Sequence, residues 1–194
     1  MNRSETSRSF TMATWLGWQV ESNWTDPLLF AIYVIIKPLA TAAILVVMYS
    51  IITGGDYESP LFPYIYLGNA FYIYVGAAMT GVSWAVIDDR EHYKTLKYMY
   101  IAPISIPFYW LGRGVSRFLI GTVAVLLTIT AGTLFLKLPL NLAEVNWGLF
   151  IVSLLIGVTM LAMMGLILAS ITLMMAQHNF FVGEAVAGAL YLFS

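Results

Sequence analysis

The chain has 194 residues, of which 60% are apolar and only 10% carry a charge. Its mean hydropathy of +0.83 excludes an ordinary water-soluble domain and indicates a membrane protein. A net charge of -1 shows no overall basic excess, so we do not expect nucleic acid as a partner. Because the chain has no cysteine, disulfides, thiolate metal sites and cysteine nucleophiles are excluded as well.

The amino-terminal segment, residues 1–27, is polar and aromatic and predicts an amphipathic helix. Its larger apolar side chains recur every four residues, which places them on one face of a helix. Tryptophan favours the membrane–water interface, so we expect this segment to lie in that interface. A loosely ordered tail is the alternative, because the polar face has few cations. The stripe consists of Met12, Leu16, Val20 and Trp24, with Trp15 and Trp18 beside it.

Long stretches with few or no charges fill residues 28–194, which we interpret as one transmembrane domain. A helix needs about 20 mostly apolar residues to cross a bilayer, and five stretches are candidates. The last one is short and carries Glu184. The expected fold is all-α: a polytopic membrane helix bundle of about five transmembrane helices, preceded by the amphipathic interfacial helix. The stretches are residues 28–53, 63–87, 118–136, 147–176 and 179–194.

The distribution of lysine and arginine predicts the orientation. With the amino terminus inside, seven of these residues lie on the cytoplasmic side and only Lys137 lies outside. An excess of basic residues marks the cytoplasmic side, so we expect a multi-pass protein of the cell membrane with a cytoplasmic amino terminus. Lys37, next to Pro38, is then close enough to the cytoplasmic headgroups to reach them with its amine, with a buried functional charge as the alternative.

Small residues occur at four-residue spacing in three of the predicted helices. Such spacing lets two helix backbones approach closely. We expect these residues to pack helices together within the chain. The pairs are Ala77 with Gly81, Ser153 with Gly157, and Gly165 with Ala169.

Residues 88–114 form a predicted cytoplasmic loop that is rich in charges. Its first part, residues 88–100, predicts a short helix with mixed charges and an apolar edge. Pro103 ends this helix, because the residue before a proline avoids the helical region, and Gly112 begins the next one. The loop is longer than the usual connection of about 2–8 residues. A partner could dock on it, although a solvated loop that only sets topology has a similar composition.

This loop resembles the first cytoplasmic loop of ABC-2 type permeases, the membrane subunits of ABC exporters. In that family the loop carries an acidic-Arg-Glu group, a Thr-Leu pair, Pro-Ile-Ser and Gly-Arg. The order of the elements along the chain is also similar. The matching residues here are Asp89-Arg90-Glu91, Thr95-Leu96, Pro103-Ile104-Ser105 and Gly112-Arg113.

The chain departs from the family pattern in three places. Lys94 stands where the family often has glycine, and Lys97 stands where an acidic residue is common. Family members usually have six spans, whereas this chain stops at Ser194, about where the segment before the sixth span begins. The resemblance therefore implies a permease that lacks its last span.

The resemblance implies a transport subunit that is not itself an enzyme. ATP and magnesium are then bound by a separate ABC ATPase, no cofactor or metal is bound by this chain, and the permease acts as a homodimer or with a paired permease. The sequence agrees in having no G-x-x-x-x-G-K-[ST] loop. Glu184 is a possible residue of the translocation path, a proton-coupling group or a carboxylate that reaches water. The implied ATPase-coupling residues are Asp89, Arg90, Glu91, Lys94, Thr95, Leu96, Lys97, Met99 and Pro103, with Leu96 and Met99 as the apolar anchors.

Two other functions compete with transport. An intramembrane transferase or hydrolase could use the cluster from Asp88 to His92, although Arg90 interrupts its carboxylates. Ser83 in GVSW has some likeness to a serine nucleophile with His178 as base, but Ala85 replaces the second glycine of G-x-S-x-G. A non-transporting membrane scaffold is the third hypothesis.

Overall fold

The computed structural model describes residues 3–23, 26–55, 57, 59–140, 144–174 and 182–193. Within these ranges all regular structure is helical. Trp24 of the predicted interfacial stripe, His178 and the beginning of the fifth predicted span lie outside the described residues. The helices, numbered in chain order, are α1 Arg3–Asn23, α2 Pro27–Thr53, α3 Leu61–His92, α4 Leu96–Met99, α5 Ile106–Phe135, α6 Trp147–Met174 and α7 Val182–Phe193.

Four of these described helices, α2, α3, α5 and α6, are long and apolar enough to cross a membrane. The prediction of an all-α membrane bundle with an additional amino-terminal helix is confirmed. The described part of the fifth predicted span is α7, which has 12 residues. Its length of about 18 Å is shorter than the hydrocarbon core of about 30 Å.

Local chemistry explains the ends of α2. Asp26 precedes the helix, and its side chain accepts a hydrogen bond from the backbone N–H of Leu28 at 2.9 Å, as an N-cap residue does. Gly54 follows the helix with a φ of 69°, a conformation that favours glycine.

Lys37 extends toward the amino-terminal end of α2 and donates to the Tyr33 hydroxyl at 2.9 Å.

The helices α3 and α5 form an antiparallel pair at the centre of the chain. At one end, the Tyr66 hydroxyl donates to the carbonyl of Thr128 at 2.8 Å. At the other end, the side chains of Asp89 and Arg113 meet. Helix α6 runs parallel to α3, and α7 runs back along α3, where the Tyr72 hydroxyl donates to the carbonyl of Ala187 at 2.5 Å.

Two of the three predicted small-residue pairs pack helices together. A Cβ on Gly165 would lie 2.6 Å from the carbonyl oxygen of Met79, so α6 crosses α3 with nearly touching backbones. Ala77 has a Cβ only 2.7 Å from where a Cβ on Gly121 would be, which joins α3 to α5 in the same way. The third pair, Ser153 and Gly157, lines a cavity on α6 instead.

The helix α1 lies along the first part of α5, and the two run parallel. The backbone N–H of Ser105 donates to Ser9, and Arg117 at the other end pairs with Glu21. Gly17 permits the contact, because a Cβ there would lie 2.7 Å from the Ser116 hydroxyl and 3.0 Å from the backbone oxygen of Arg113.

The predicted amino-terminal helix is therefore confirmed, and it also packs on α5 through a face for which no contact was predicted. The buried face consists of the small residues Ser9, Ala13 and Gly17. The predicted apolar stripe points away from α5, with 59% of Met12 exposed. Small residues lie on the face toward α5 because only small side chains allow the backbone of α1 to approach α5 so closely. The exposed apolar side chains on the opposite faces are Phe10, Met12, Trp15, Leu16 and Trp18.

The predicted helix over residues 88–100 is not formed as one element. Residues Asp88–His92 are the π-helical end of α3, and α4 is a separate single turn. Lys94 separates them with a φ of 53°. The next helix begins at Ile106 rather than at Gly112, since a proline in the first turn is compatible with a helix. The connection between the two long helices is therefore shorter than predicted.

Candidate functional site

Arg113 and Asp89 form a buried ion pair between α5 and the end of α3. Arg113 Nη1 donates to Asp89 Oδ1 at 3.1 Å, and only 3% and 2% of the two side chains are exposed. A buried charge is costly unless an opposite charge accompanies it. The pair explains why α3 continues to His92 in contact with α5 instead of ending at the last apolar residue.

Further charged side chains extend this pair toward solvent and toward α1. Asp88 Oδ2 lies 3.9 Å from Arg113 Nη2 and 3.6 Å from Arg117 Nη2. Arg117 Nε donates to Glu21 Oε1 at 2.5 Å. The network thus joins three helices at one end of the bundle. We call Glu21, Asp88, Asp89, Arg113 and Arg117 the charge network.

Arg90 connects the same end of α3 to α6. Its Nη1 donates to the carbonyl of Thr172 at 2.7 Å, and its Nη2 lies 2.6 Å from Glu91 Oε1. Arg90 therefore attaches the end of α3 to the last described turn of α6, while Glu91 balances its charge.

The single turn α4 lies over a small apolar core beside these charges. Met99 is buried there, and Leu96 packs against the same cluster. Trp110 of α5 forms part of this core, so α4 is held against α5 by apolar contacts as well as by chain connection. The buried residues of the cluster are Val82, Val86, Met99, Trp110 and Ala169.

The outward side of α4 and the residues next to it are basic, aromatic and exposed. Tyr98 exposes 62% of its surface and Ile101 exposes 83%. Lys97 Nζ lies 5.0 Å from the centre of the Tyr98 ring, so a cation covers part of the aromatic surface. We call Tyr93, Lys94, Lys97, Tyr98, Tyr100 and Ile101 the outer cap.

The nine predicted coupling residues differ in how far they are accessible. Asp89 and Met99 were expected to contact a partner, but both are buried within this chain. Asp89 is directed inward because Arg113 is its counter-ion, and Met99 because it fills the apolar core. Lys94, Lys97 and Pro103 are exposed. Arg90, Glu91, Thr95 and Leu96 are partly buried.

The structural role of Arg113 and Arg117 was not predicted: both were counted among the basic residues that set the topology, and Arg113 was also part of the Gly112-Arg113 match. Their four-residue spacing puts both on one face of α5. That spacing indicates that the two arginines contact the same neighbouring surface. It does not identify Asp88, Asp89 and Glu21 as the partners, because those residues lie on two other helices.

The residues of the enzymatic hypothesis have other partners in the structure. Asp88 and Asp89 face arginines, and Asp88 also lies 3.0 Å from His92 Nδ1. Among the described residues, no three His, Asp or Glu side chains come together as a metal site. Ser83 Oγ is buried without a hydrogen-bond partner in the described part of the chain. His178, its predicted base, lies outside that part.

Glu184 lies in the first turn of α7, where its side chain is exposed. A carboxylate in the first turn interacts favourably with the helix dipole. The neighbouring Gly183 lies beside Ser83, with 3.5 Å between a Cβ on Gly183 and Ser83 Oγ.

No protein-family model matches the chain, and neither a curated protein nor a solved structure matches it.

Proposed function

We propose that this chain is the membrane permease subunit of an ATP-driven ABC exporter. The observation that carries the proposal is the exposed outer cap at the end of the α3–α5 pair. The cap lies within the segment that resembles the first cytoplasmic loop of ABC-2 type permeases. A separate ATPase would bind ATP and magnesium and would dock on this cap.

The chemistry of the outer cap suits a protein partner with an acidic cleft. Lys94 and Lys97 provide positive charge that would steer such a partner. Tyr98 and Tyr100 provide aromatic anchor area, which is enriched among the residues that dominate binding energy. These tyrosines take the anchor role that the resemblance assigns to Leu96 and Met99.

The charge network explains how motion of the outer cap would reach the membrane helices. Asp89 and Arg113 hold α3 against α5, and Glu21 adds α1 through Arg117. Arg90 adds the carboxyl end of α6. Movement of the cap by a partner would therefore displace several helices together. Such a displacement could favour an outward-open over an inward-open arrangement of two paired permeases.

Co-purification tests this proposal directly. The tagged chain, expressed with its genomic neighbours, is purified in mild detergent, and the proteins that accompany it are identified and assayed for ATP hydrolysis. We expect an ATPase to accompany the native chain and to be lost from a Lys97→Glu, Tyr98→Ala variant, because the variant removes a charge and an anchor from the cap.

The matched control makes the same two changes away from the cap. Lys137 and Tyr64 are also exposed, beyond the end of α5 and near the start of α3. A Lys137→Glu, Tyr64→Ala variant should keep the ATPase. A chain that purifies alone at normal yield, with hydrolytic or transfer activity sensitive to Asp89 or His92, would overturn the proposal in favour of an intramembrane enzyme.

A further inference from the structure

Ser153 and Gly157 of α6 line a cavity of about 260 Å³ between α6 and α3. The α3 side of the cavity is aromatic, with Phe71 and Tyr74, and the α6 side continues from Phe150 to Leu161. Apart from the neighbouring residues and backbone of α6 itself, no described atom lies within 4 Å of a Cβ built on Gly157. The small residues therefore leave space here, whereas Gly165 on the same helix is in close contact with α3.

The position of the cavity along α6 defines what can reach it. Gly157 lies ten residues after Trp147, the first residue of a helix long and apolar enough to cross a membrane. Ten residues of helix span about 15 Å, which is half of a hydrocarbon core of about 30 Å. Tryptophan favours the interface, so the cavity extends from near the interface toward the bilayer centre.

The lining of the cavity is mostly apolar and provides no charge for an ionic ligand. None of its described lining residues carries a charge. The hydroxyl of Ser153 is already bonded to the carbonyl of Phe150 at 2.9 Å. The ring of Phe71 meets Phe150 edge to face, with 5.7 Å between the ring centres, so one wall is a continuous aromatic surface. Such a lining favours a flexible hydrocarbon chain.

We infer that this cavity is a binding site for one acyl chain of a membrane phospholipid. The chain lies along α6 between Phe150 and Leu161, with Gly157 as the floor of the site. This inference does not depend on the proposed transport function. The inferred site holds one resident lipid chain, in contrast to the exchanging lipids that cover any exposed face of α2 or α6.

Photo-crosslinking in bilayers tests the site. The full chain is reconstituted into phosphatidylcholine nanodiscs that contain a phospholipid with a diazirine in the middle of one acyl chain. After illumination, the labelled peptides are identified by mass spectrometry. We expect saturable labelling of one lipid per chain, concentrated in residues 150–161 and 71–74. A Gly157→Phe variant should lose most of this labelling, because its ring occupies the cavity.

A Gly68→Phe variant is the matched control. Gly68 lies on α3 and also has no described atom within 4 Å of an added Cβ, but it does not line the cavity. Its labelling should equal that of the native chain. If Gly157→Phe fails to fold, Ser153→Phe places a ring in the same cavity from one turn away.

Three outcomes would overturn the inference. Labelling could be unchanged in the folded cavity variants, or it could be spread evenly over the exposed faces of α2 and α6. A Ser153→Cys variant could also crosslink to a second copy of the chain, which would show that another protein helix covers the cavity. The native chain has no cysteine, so such a crosslink would identify this position unambiguously.

Discussion

Asp89 stabilises the end of α3 with both its side chain and its backbone. The carboxylate is paired with Arg113, and the backbone carbonyl accepts a hydrogen bond from the N–H of Thr95 at 2.9 Å. The second bond is possible because the chain reverses at Lys94, whose φ of 53° lies in the region that favours glycine.

The buried pair makes a prediction for stability. An Asp89→Leu variant leaves Arg113 buried without its nearest counter-ion, and we expect a loss of about 3–5 kcal/mol in the free energy of unfolding. An Asp89→Leu, Arg113→Met variant replaces both charges by apolar side chains and should recover most of that loss. Unfolding by denaturant in detergent measures the free energy of unfolding of both variants. Equal losses in the single and double variants would show that the pairing of charges is not the cause.

At the scale of helices, the close contact between α1 and α5 depends on glycines, which have no side chain. Gly17 on α1 faces Arg113 and Ser116. On α5, a Cβ added to Gly112 would lie 2.6 Å from the backbone oxygen of Phe10. These neighbours include backbone atoms, which cannot move aside as a flexible side chain can. The ion pair of Glu21 with Arg117 adds a second attachment near the carboxyl end of α1.

This contact predicts that one larger residue releases α1. In a Gly17→Leu variant the side chain would clash with the backbone of α5, so α1 should separate from it. Amide hydrogen exchange should then become faster throughout residues 3–23. Thr11→Leu introduces the same side chain at an exposed position of α1 and should leave exchange unchanged. Slow exchange in the Gly17 variant would contradict the close-packing account.

At the scale of the whole molecule, most of the described charged side chains gather at one end of the bundle. The charge network and the outer cap lie where α3 ends and α5 begins. Lys137 follows the opposite end of α5, after 30 helical residues. Those residues span about 45 Å, more than a hydrocarbon core of about 30 Å. The two ends of α5 can therefore reach opposite sides of a membrane.

This arrangement predicts the result of labelling with a membrane-impermeant thiol reagent. Since the native chain has no cysteine, each single-cysteine variant reports the side of the membrane on which its own position lies. We expect Lys137→Cys to react in intact cells, and Lys97→Cys and Arg8→Cys to react only after the membrane is opened, because basic residues favour the cytoplasmic side. Reaction of Lys97→Cys in intact cells would show the reverse orientation.

Much of the fold can be predicted because its signals are local. The stretches with few or no charges that became α2, α3, α5 and α6 each depend only on neighbouring residues. The candidate site is less predictable. The sequence draws attention to residues 88–100, but the exposure of Lys97 and the burial of Met99 follow from how α4 packs on α3, α5 and α6.

By itself, the sequence determined that this protein is all-helical and suited to a membrane, since hydropathy and helix ends are properties of short segments. Only the tertiary structure decided which charges face inward. Asp89 and Arg113 are 24 residues apart, and Glu21 and Arg117 are 96 apart. Such pairs form because the packing of helices side by side brings residues that are far apart in the sequence to the same height along the bundle. The periodicity of a single helix shows which residues share a face, but it does not show which helix that face will meet.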